Sequence, residues 1–240
     1  MSDLFDALKP AVKAELPVRR ICLVGASGLV GSAVLEESVG RADMRVVSVA
    51  RREVPLPKGA RTEVLLGPAE DWLALIGAAR ANVLVCALGT TMKAAGGEEA
   101  FRAVDHDLVL DVARAAHALG IEHMIAVSSV GADRASRNFY LRTKAETEEA
   151  LRKIGFRRLD ILRPGLLRGR RREWRGLEAA GQVLAPIADL LVLHGRYRRF
   201  RSVRASMVAC AIFALAGQKA RGTFVHDFDG MLRAVRRTGE

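Results

Sequence analysis

The segment Gly25-Ala26-Ser27-Gly28-Leu29-Val30-Gly31 follows directly on the apolar run from Ile21 to Val24 and opens a helical pattern reaching Val39. Few folds admit that arrangement. Glycine at 25 permits a tight turn out of a buried strand, and glycine at 28 lets the backbone approach a bulky anion. Glycine at 31 allows the new helix to pack closely on the sheet. The first N–H groups of that helix have no partner within it and face the same anion, so the loop suits a pyrophosphate. A glycine triplet alone is weak evidence. Placed between a buried strand and a helix, with GxxGxxG spacing, it makes a dinucleotide the expected ligand, held by Gly25, Ser27, Gly28, Leu29, Val30 and Gly31.

The same alternation continues along the chain. Strands are predicted over 46–50, 62–66, 83–88, 123–128 and 158–162, with helices over 69–77, 98–119 and 139–153 between them. Strands separated by helices need right-handed crossovers and a parallel sheet covered on both faces. The expected fold is therefore α/β, a Rossmann-type doubly wound parallel sheet, whose ligands sit at the carboxyl ends of the strands. At 240 residues the chain suffices for one large core, read here as a single domain. Residues 1–18 are expected to form an N-terminal helix or arm, with Leu4, Phe5, Leu8, Val12 and Leu16 at near-helical spacing. Residues 19–165 would form the cofactor-binding core and 166–240 a substrate-side cap, with helical stretches at 177–193 and 205–217 and an apolar segment at 223–225.

Composition narrows the function classes. Half of the residues are hydrophobic and 5% aromatic, as in ordinary α/β proteins. The longest apolar stretches, 190–193 and 207–216, are too short to cross a bilayer. Asp3, Asp6 and the lack of a sustained apolar region argue against a secretory leader. Cys22, Cys86 and Cys210 form neither a CxxC pair nor a metal-ligand spacing, so no metal is expected. These features suggest a reduced, cytoplasmic protein. Cys22 and Cys86 each precede a strand-ending glycine by three residues, on strands expected to be neighbours, and read as buried, inert thiols. The net charge of +11 is concentrated in Arg168, Arg170, Arg171, Arg172 and Arg175, and again in Arg196, Arg198, Arg199, Arg201 and Arg204. Such density attracts anions. No interleaved aromatics, recognition helix or RNA-binding signature accompanies it, so a small-molecule substrate is expected rather than a nucleic acid, with a homodimer or protein partner left open.

Two constellations carry chemistry. The second strand ends in Ser48-Val49-Ala50-Arg51-Arg52, where an NAD-preferring fold usually places an acid for the ribose 2′-OH. Arg51 and Arg52 suit a 2′-phosphate instead, which points to NADP(H). Tyr140 and Lys144 stand four apart on one face of a predicted helix, with Ser128 and Ser129 ending the preceding strand. A nearby ammonium favours the tyrosinate, bringing the phenol toward the range of a proton donor to a carbonyl. A serine hydroxyl would orient the substrate oxygen, and the cofactor would supply the hydride. His106 reads as a solvated helix histidine, and Lys93, in the Gly89-to-Gly97 loop, suits an anionic substrate and a mobile surface position equally.

Cys86-Ala87-Leu88-Gly89-Thr90-Thr91, Val104-Asp105-His106-Asp107, Val127-Ser128-Ser129-Val130-Gly131-Ala132-Asp133, Tyr140-Leu141-Arg142-Thr143-Lys144 and Leu162-Arg163-Pro164-Gly165 resemble the Tat-interacting-protein-like branch of the atypical short-chain dehydrogenase/reductases. The resemblance runs from about residue 20 to 165. It implies an NADPH-binding Rossmann protein in which Leu88, Gly89 and Thr90 contact the cofactor, Gly89 and Thr90 on its adenosine side. Arg163-Pro164-Gly165 would shape the loop beside the nicotinamide, with Pro164 in contact. Gly67-Pro68 stands where the family usually has an acid near the adenine, and Asp105 where many extended members carry an asparagine that orders a relay water. The leading expectation is an NADP(H)-dependent oxidoreductase acting on a small carbonyl or alcohol. The alternatives are a non-catalytic NADP(H) sensor with a protein partner and a sugar-nucleotide epimerase or dehydratase relative.

Overall fold

A computed structural model describes residues 18–169 and 195–239. Its chain order is β1 (Arg19–Val24), α1 (Leu29–Glu37), β2 (Met44–Ala50), β3 (Glu63–Leu66), α2 (Trp72–Ala78), β4 (Val83–Cys86), α3 (Met92–Ala95) and α4 (Glu98–Arg102). Next come α5 (Leu108–Ala118), β5 (His123–Val127), α6 (Phe139–Ile154), β6 (Arg158–Leu162), β7 (Leu167–Arg168), β8 (Val203–Arg204), α7 (Ala205–Ala216), β9 (Gly222–His226) and α8 (Phe228–Thr238). Seven strands form one parallel sheet in the order β3-β2-β1-β4-β5-β6-β9, and β7 pairs with β8 in a separate ribbon. The doubly wound expectation holds. The strand order reverses between β1 and β4, and the crevice outside their carboxyl ends is where such sheets bind ligands.

Period-two alternation explains why both faces are covered. In β1, Ile21 and Leu23 enter the core shared with α1, α7 and α8. Cys22 and Val24 enter the opposite core, with α2 and α5. The central strands therefore read as unbroken apolar runs, Ile21 to Val24 in β1 and Val83 to Cys86 in β4. The α7 helix is apolar nearly all round, its residues from Val208 to Ala216 almost wholly buried, because it lies between α1 and α8 against the sheet.

Three features depart from the periodicity reading. The helix expected without a break over 98–119 contains a π-turn, Ala103–Asp107, that rotates Asp105 into the interior. A one-residue insertion of this kind leaves no trace in an amphipathic pattern and is frequent at functional sites. The strand expected over 83–88 stops at Cys86, because the Ala87 backbone turns against Gly25. Residues expected to cap the sheet instead complete it: 205–216 form a layer helix, and 222–226 form the seventh strand, in register with β6 from Arg158↔Gly222 to Leu162↔His226. The predicted helices at 1–17 and 177–193 lie outside the described residues.

Candidate cofactor and catalytic site

The glycines of the loop after β1 have separate tasks. Gly25 has φ +92°, and a Cβ there would lie 2.5 Å from the Ala87 carbonyl. A Cβ on Gly31 would collide with the Gly25 carbonyl oxygen. Both glycines are therefore required by the fold. Gly28 is different: its Cβ would meet nothing closer than the Gly25 oxygen at 3.4 Å. It is the extended N-cap of α1 with no side-chain cap, leaving the first N–H groups of the helix unsatisfied by the protein. An exposed glycine with open space in front of uncapped donors fits the diphosphate of a dinucleotide. Ser27 is exposed beside it, Leu29 is half-buried and Val30 is buried in the α1 core.

At the end of β2, Arg51 and Arg52 are exposed. Arg51 lines an open cleft of about 520 Å³ with Leu66, Gly67, Pro68, Ala69 and Glu70. Leu66 offers an apolar wall, 48% exposed, of the kind a purine ring covers. An acid does reach this cleft, from Glu70 rather than from the end of β3.

Tyr140 and Lys144 project from the first two turns of α6, a helix capped by the Asn138 side chain on the Leu141 N–H. Lys144 is 6% exposed, and its Nζ lies 2.7 Å from Asp105 Oδ1, itself 1% exposed. The other carboxylate oxygen accepts the Thr90 N–H at 2.8 Å. The Thr147 hydroxyl donates to the Asp105 carbonyl at 3.0 Å and steadies the π-turn. A buried charge needs a partner of this kind. Asp105 thus ties the Leu88-Gly89-Thr90 loop to Lys144, and a Cβ on Gly89 would sit 3.4 Å from Asp105 Oδ1. Leu88 packs against the core beneath. The Tyr140 ring is half-buried against Phe101, with centroids 5.4 Å apart.

The serine pair divides. The Ser128 hydroxyl donates to Glu148 Oε1 at 2.6 Å, inside a network in which the Arg163 guanidinium grips Glu148 through two bonds of 2.8 and 2.6 Å. Ser128 is therefore committed to the protein. Among the described residues the Ser129 hydroxyl bonds the Val130 carbonyl alone, at 3.2 Å. Pro164 is buried and its carbonyl accepts the Val130 N–H, joining the loops after β5 and β6. Sequence reasoning missed Glu148, although its spacing of four from Lys144 and eight from Tyr140 puts it on the same helix face.

Other groups lie away from this edge. Cys22 and Cys86 face the same core on adjacent strands, offset by two positions. Burial pushes their thiols up to about 12 and about 11, leaving them unreactive. Asp160, wholly buried in β6, accepts bonds from His123 (2.8 Å), His226 (2.7 Å) and Arg158 (2.6 and 2.8 Å). Burial would raise that carboxyl, yet these donors hold it well below the ordinary range. His106 is half-buried beside Asp107, and Lys93 is exposed on α3. Among the described residues no cluster could hold a metal ion and no helix is long and apolar enough to cross a membrane.

A family model described as NAD(P)H-binding matches residues 25–182. The Fmp52 protein of Aspergillus fumigatus is 36% identical over 175 residues, covering 70% of this chain and 75% of the relative. A Bacillus halodurans protein assigned as an NAD-dependent epimerase/dehydratase superposes with a TM-score of 0.65 and 23% identity, over 91% of this chain and 99% of that one. MoeE5, in complex with UDP-glucose and NAD, superposes with a TM-score of 0.66 and 16% identity, over 92% and 82%. The Fmp52 relatives are named as mitochondrial proteins, which overturns the cytoplasmic expectation. The reasoning behind that expectation excluded only a secretory leader and a bilayer span, and neither bears on an organelle. The GxxGxxG loop, the parallel sheet, the family match and the Fmp52 relatives agree: the chain belongs to the NAD(P)H-binding family, within the atypical short-chain dehydrogenase/reductases.

Proposed function

We propose that the protein is an NADP(H)-dependent oxidoreductase that interconverts a small carbonyl compound and its alcohol, working in the mitochondrion as its Fmp52 relatives' names suggest. The observation that carries the reading is the buried Lys144–Asp105 pair, one helical turn from Tyr140, at the edge where the glycine loop opens. Tyr140 and Lys144 share one face of α6, and Ser129 follows the end of β5 with its hydroxyl bonded to the Val130 carbonyl.

Bound NADP(H) would supply or accept a hydride at its nicotinamide. The protein's own residues handle the proton and the orientation. Tyr140 donates its phenolic proton to the carbonyl oxygen as the adjacent carbon gains hydride, and the Lys144 ammonium stabilises the phenolate left behind. Ser129 holds the carbonyl oxygen in line. Arg51, with Arg52 beside it, grips the 2′-phosphate, which supports NADP(H) over NAD(H).

The test is NADPH oxidation against a panel of aldehydes, ketones and quinones, with Tyr140→Phe as the control. We expect turnover on at least one compound and a loss of about 10²–10⁴-fold in the variant, with NADPH affinity little changed. Undiminished activity in Tyr140→Phe would falsify the mechanism.

A further inference from the structure

The glycine loop and the Tyr140 site leave the arginine-rich stretches of the sequence without a task. Of their described members, Arg198 pairs with Asp229 at 3.2 Å and Arg199 lies over the Phe200 ring, while Arg168, Arg201 and Arg204 gather at the β7–β8 ribbon, which stands beside the glycine loop. Gly169, next in the chain to Arg168, lies against α1: a Cβ on it would come 2.7 Å from Leu29 Cδ1 and 3.4 Å from Ala205 Cβ. The Val203 N–H donates to the Leu166 carbonyl at 2.8 Å, and Gly165 is pressed against the backbone of Phe200 and Arg201. The position of the ribbon is therefore fixed by backbone contacts.

Within the ribbon, Arg168 is in register with Arg204. In-register side chains on neighbouring strands leave the same face, so two cations stand side by side, an arrangement that repels unless an anion lies between them. The described residues provide none: neither arginine has a carboxylate partner among them. Arg168 Nε and Arg201 Nε are moreover buried without an acceptor. Elsewhere the buried and half-buried guanidinium groups are matched, Arg158 to Asp160, Arg163 to Glu148 and Arg20 to Glu63. Buried polar groups are normally satisfied, and an orphaned guanidinium donor beside a second cation points to a missing anion.

We propose that Arg168 and Arg204 form a phosphate-binding site on the face of the β7–β8 ribbon turned away from Leu29, with Arg201 as a further donor. Guanidinium forks match phosphate oxygens in pairs. The phosphate belongs either to the dinucleotide or to a second ligand seated next to it. Only the first source rests on the proposed function.

Inorganic pyrophosphate binding, by calorimetry, and NADPH binding, by fluorescence, are compared for the full chain and for Arg168→Gln and Arg204→Gln. Each substitution should weaken one or both ligands about tenfold or more, the loss expected for one charge-assisted bond. If the dinucleotide is the source, NADPH weakens in the variants and displaces pyrophosphate from the unmodified protein. If a second ligand is the source, NADPH affinity is unchanged, pyrophosphate binds the NADPH-saturated protein, and the variants lose that binding. Unchanged affinities for both ligands in both variants overturn the proposal. Arg204 is exposed, so Arg204→Gln carries the test should Arg168→Gln fold poorly. An unmodified protein that binds pyrophosphate but not NADPH would contradict the proposed function and leave the site standing.

Discussion

Ser128 and Ser129 are neighbours in the chain just past the end of β5, and their hydroxyls have different partners. Ser128 reaches Glu148, one of the few carboxylates buried among the described residues, and the Ser129 hydroxyl donates to the neighbouring Val130 carbonyl. Their alanine variants should separate accordingly. Ser128→Ala removes a donor from a buried carboxylate and should lower stability by about 1.5–3 kcal/mol, read as a lower urea midpoint. Ser129→Ala should leave the midpoint in place and reduce turnover. The reverse pattern would show that the hydroxyl assignments are exchanged. A serine pair can be read from sequence as a unit; which member faces the ligand depends on Glu148 and Arg163, which come from α6 and β6.

The loop between β1 and α1 makes a comparable distinction among glycines. Gly25→Ala and Gly31→Ala should impair folding, the first through its positive φ and the Ala87 carbonyl, the second through the Gly25 carbonyl. Gly28→Val should retain a native circular dichroism spectrum and lose dinucleotide binding, because its side chain would occupy only the space before the α1 N–H groups. Retention of normal NADPH affinity by a folded Gly28→Val would show that the loop serves another purpose. The strands and layer helices between residues 19 and 165 largely follow from their apolar runs, since hydrophobic periodicity reports burial directly. The π-turn does not, since its extra residue keeps the apolar spacing on either side intact. Nor does β9, whose residues Gly222, Thr223 and Val225 are exposed at the sheet edge and carry no buried-strand pattern.

A buried ionic cluster joins the last strand to the rest of the molecule. Asp160 in β6 binds His123 from β5 and His226 from β9, with Arg158 completing the set. Burial lowers the His123 imidazole below its usual 6.5, against the pull of Asp160. The hydrogen bonds of Asp160 hold its carboxyl below its usual 3.8 despite burial. Both groups therefore bind fewer protons folded than unfolded as the solution is acidified, and stability must fall with pH. The loss should begin below about pH 6.5 through His123 and steepen below about pH 4 through Asp160. Urea midpoints at pH 7.5, 5.5 and 4 should decline in that order; a midpoint constant across the range would mean that the cluster does not couple to folding.

The parallel sheet brings the glycine loop, Arg51, Asp105 and the Tyr140–Lys144 turn of α6 to one edge from four separate stretches of chain, a convergence that under the proposed function serves a dinucleotide carrying a 2′-phosphate. Equilibrium titration of NADPH and NADH against the unmodified protein and against Arg51→Ala/Arg52→Ala examines it. Charge-assisted bonds contribute on the order of 1.5–3 kcal/mol each, so NADPH should bind more tightly than NADH, and the preference should shrink at least about tenfold in the double variant. Equal affinities for the two dinucleotides in the unmodified protein, or an NADPH preference that survives loss of both arginines, would contradict the assignment.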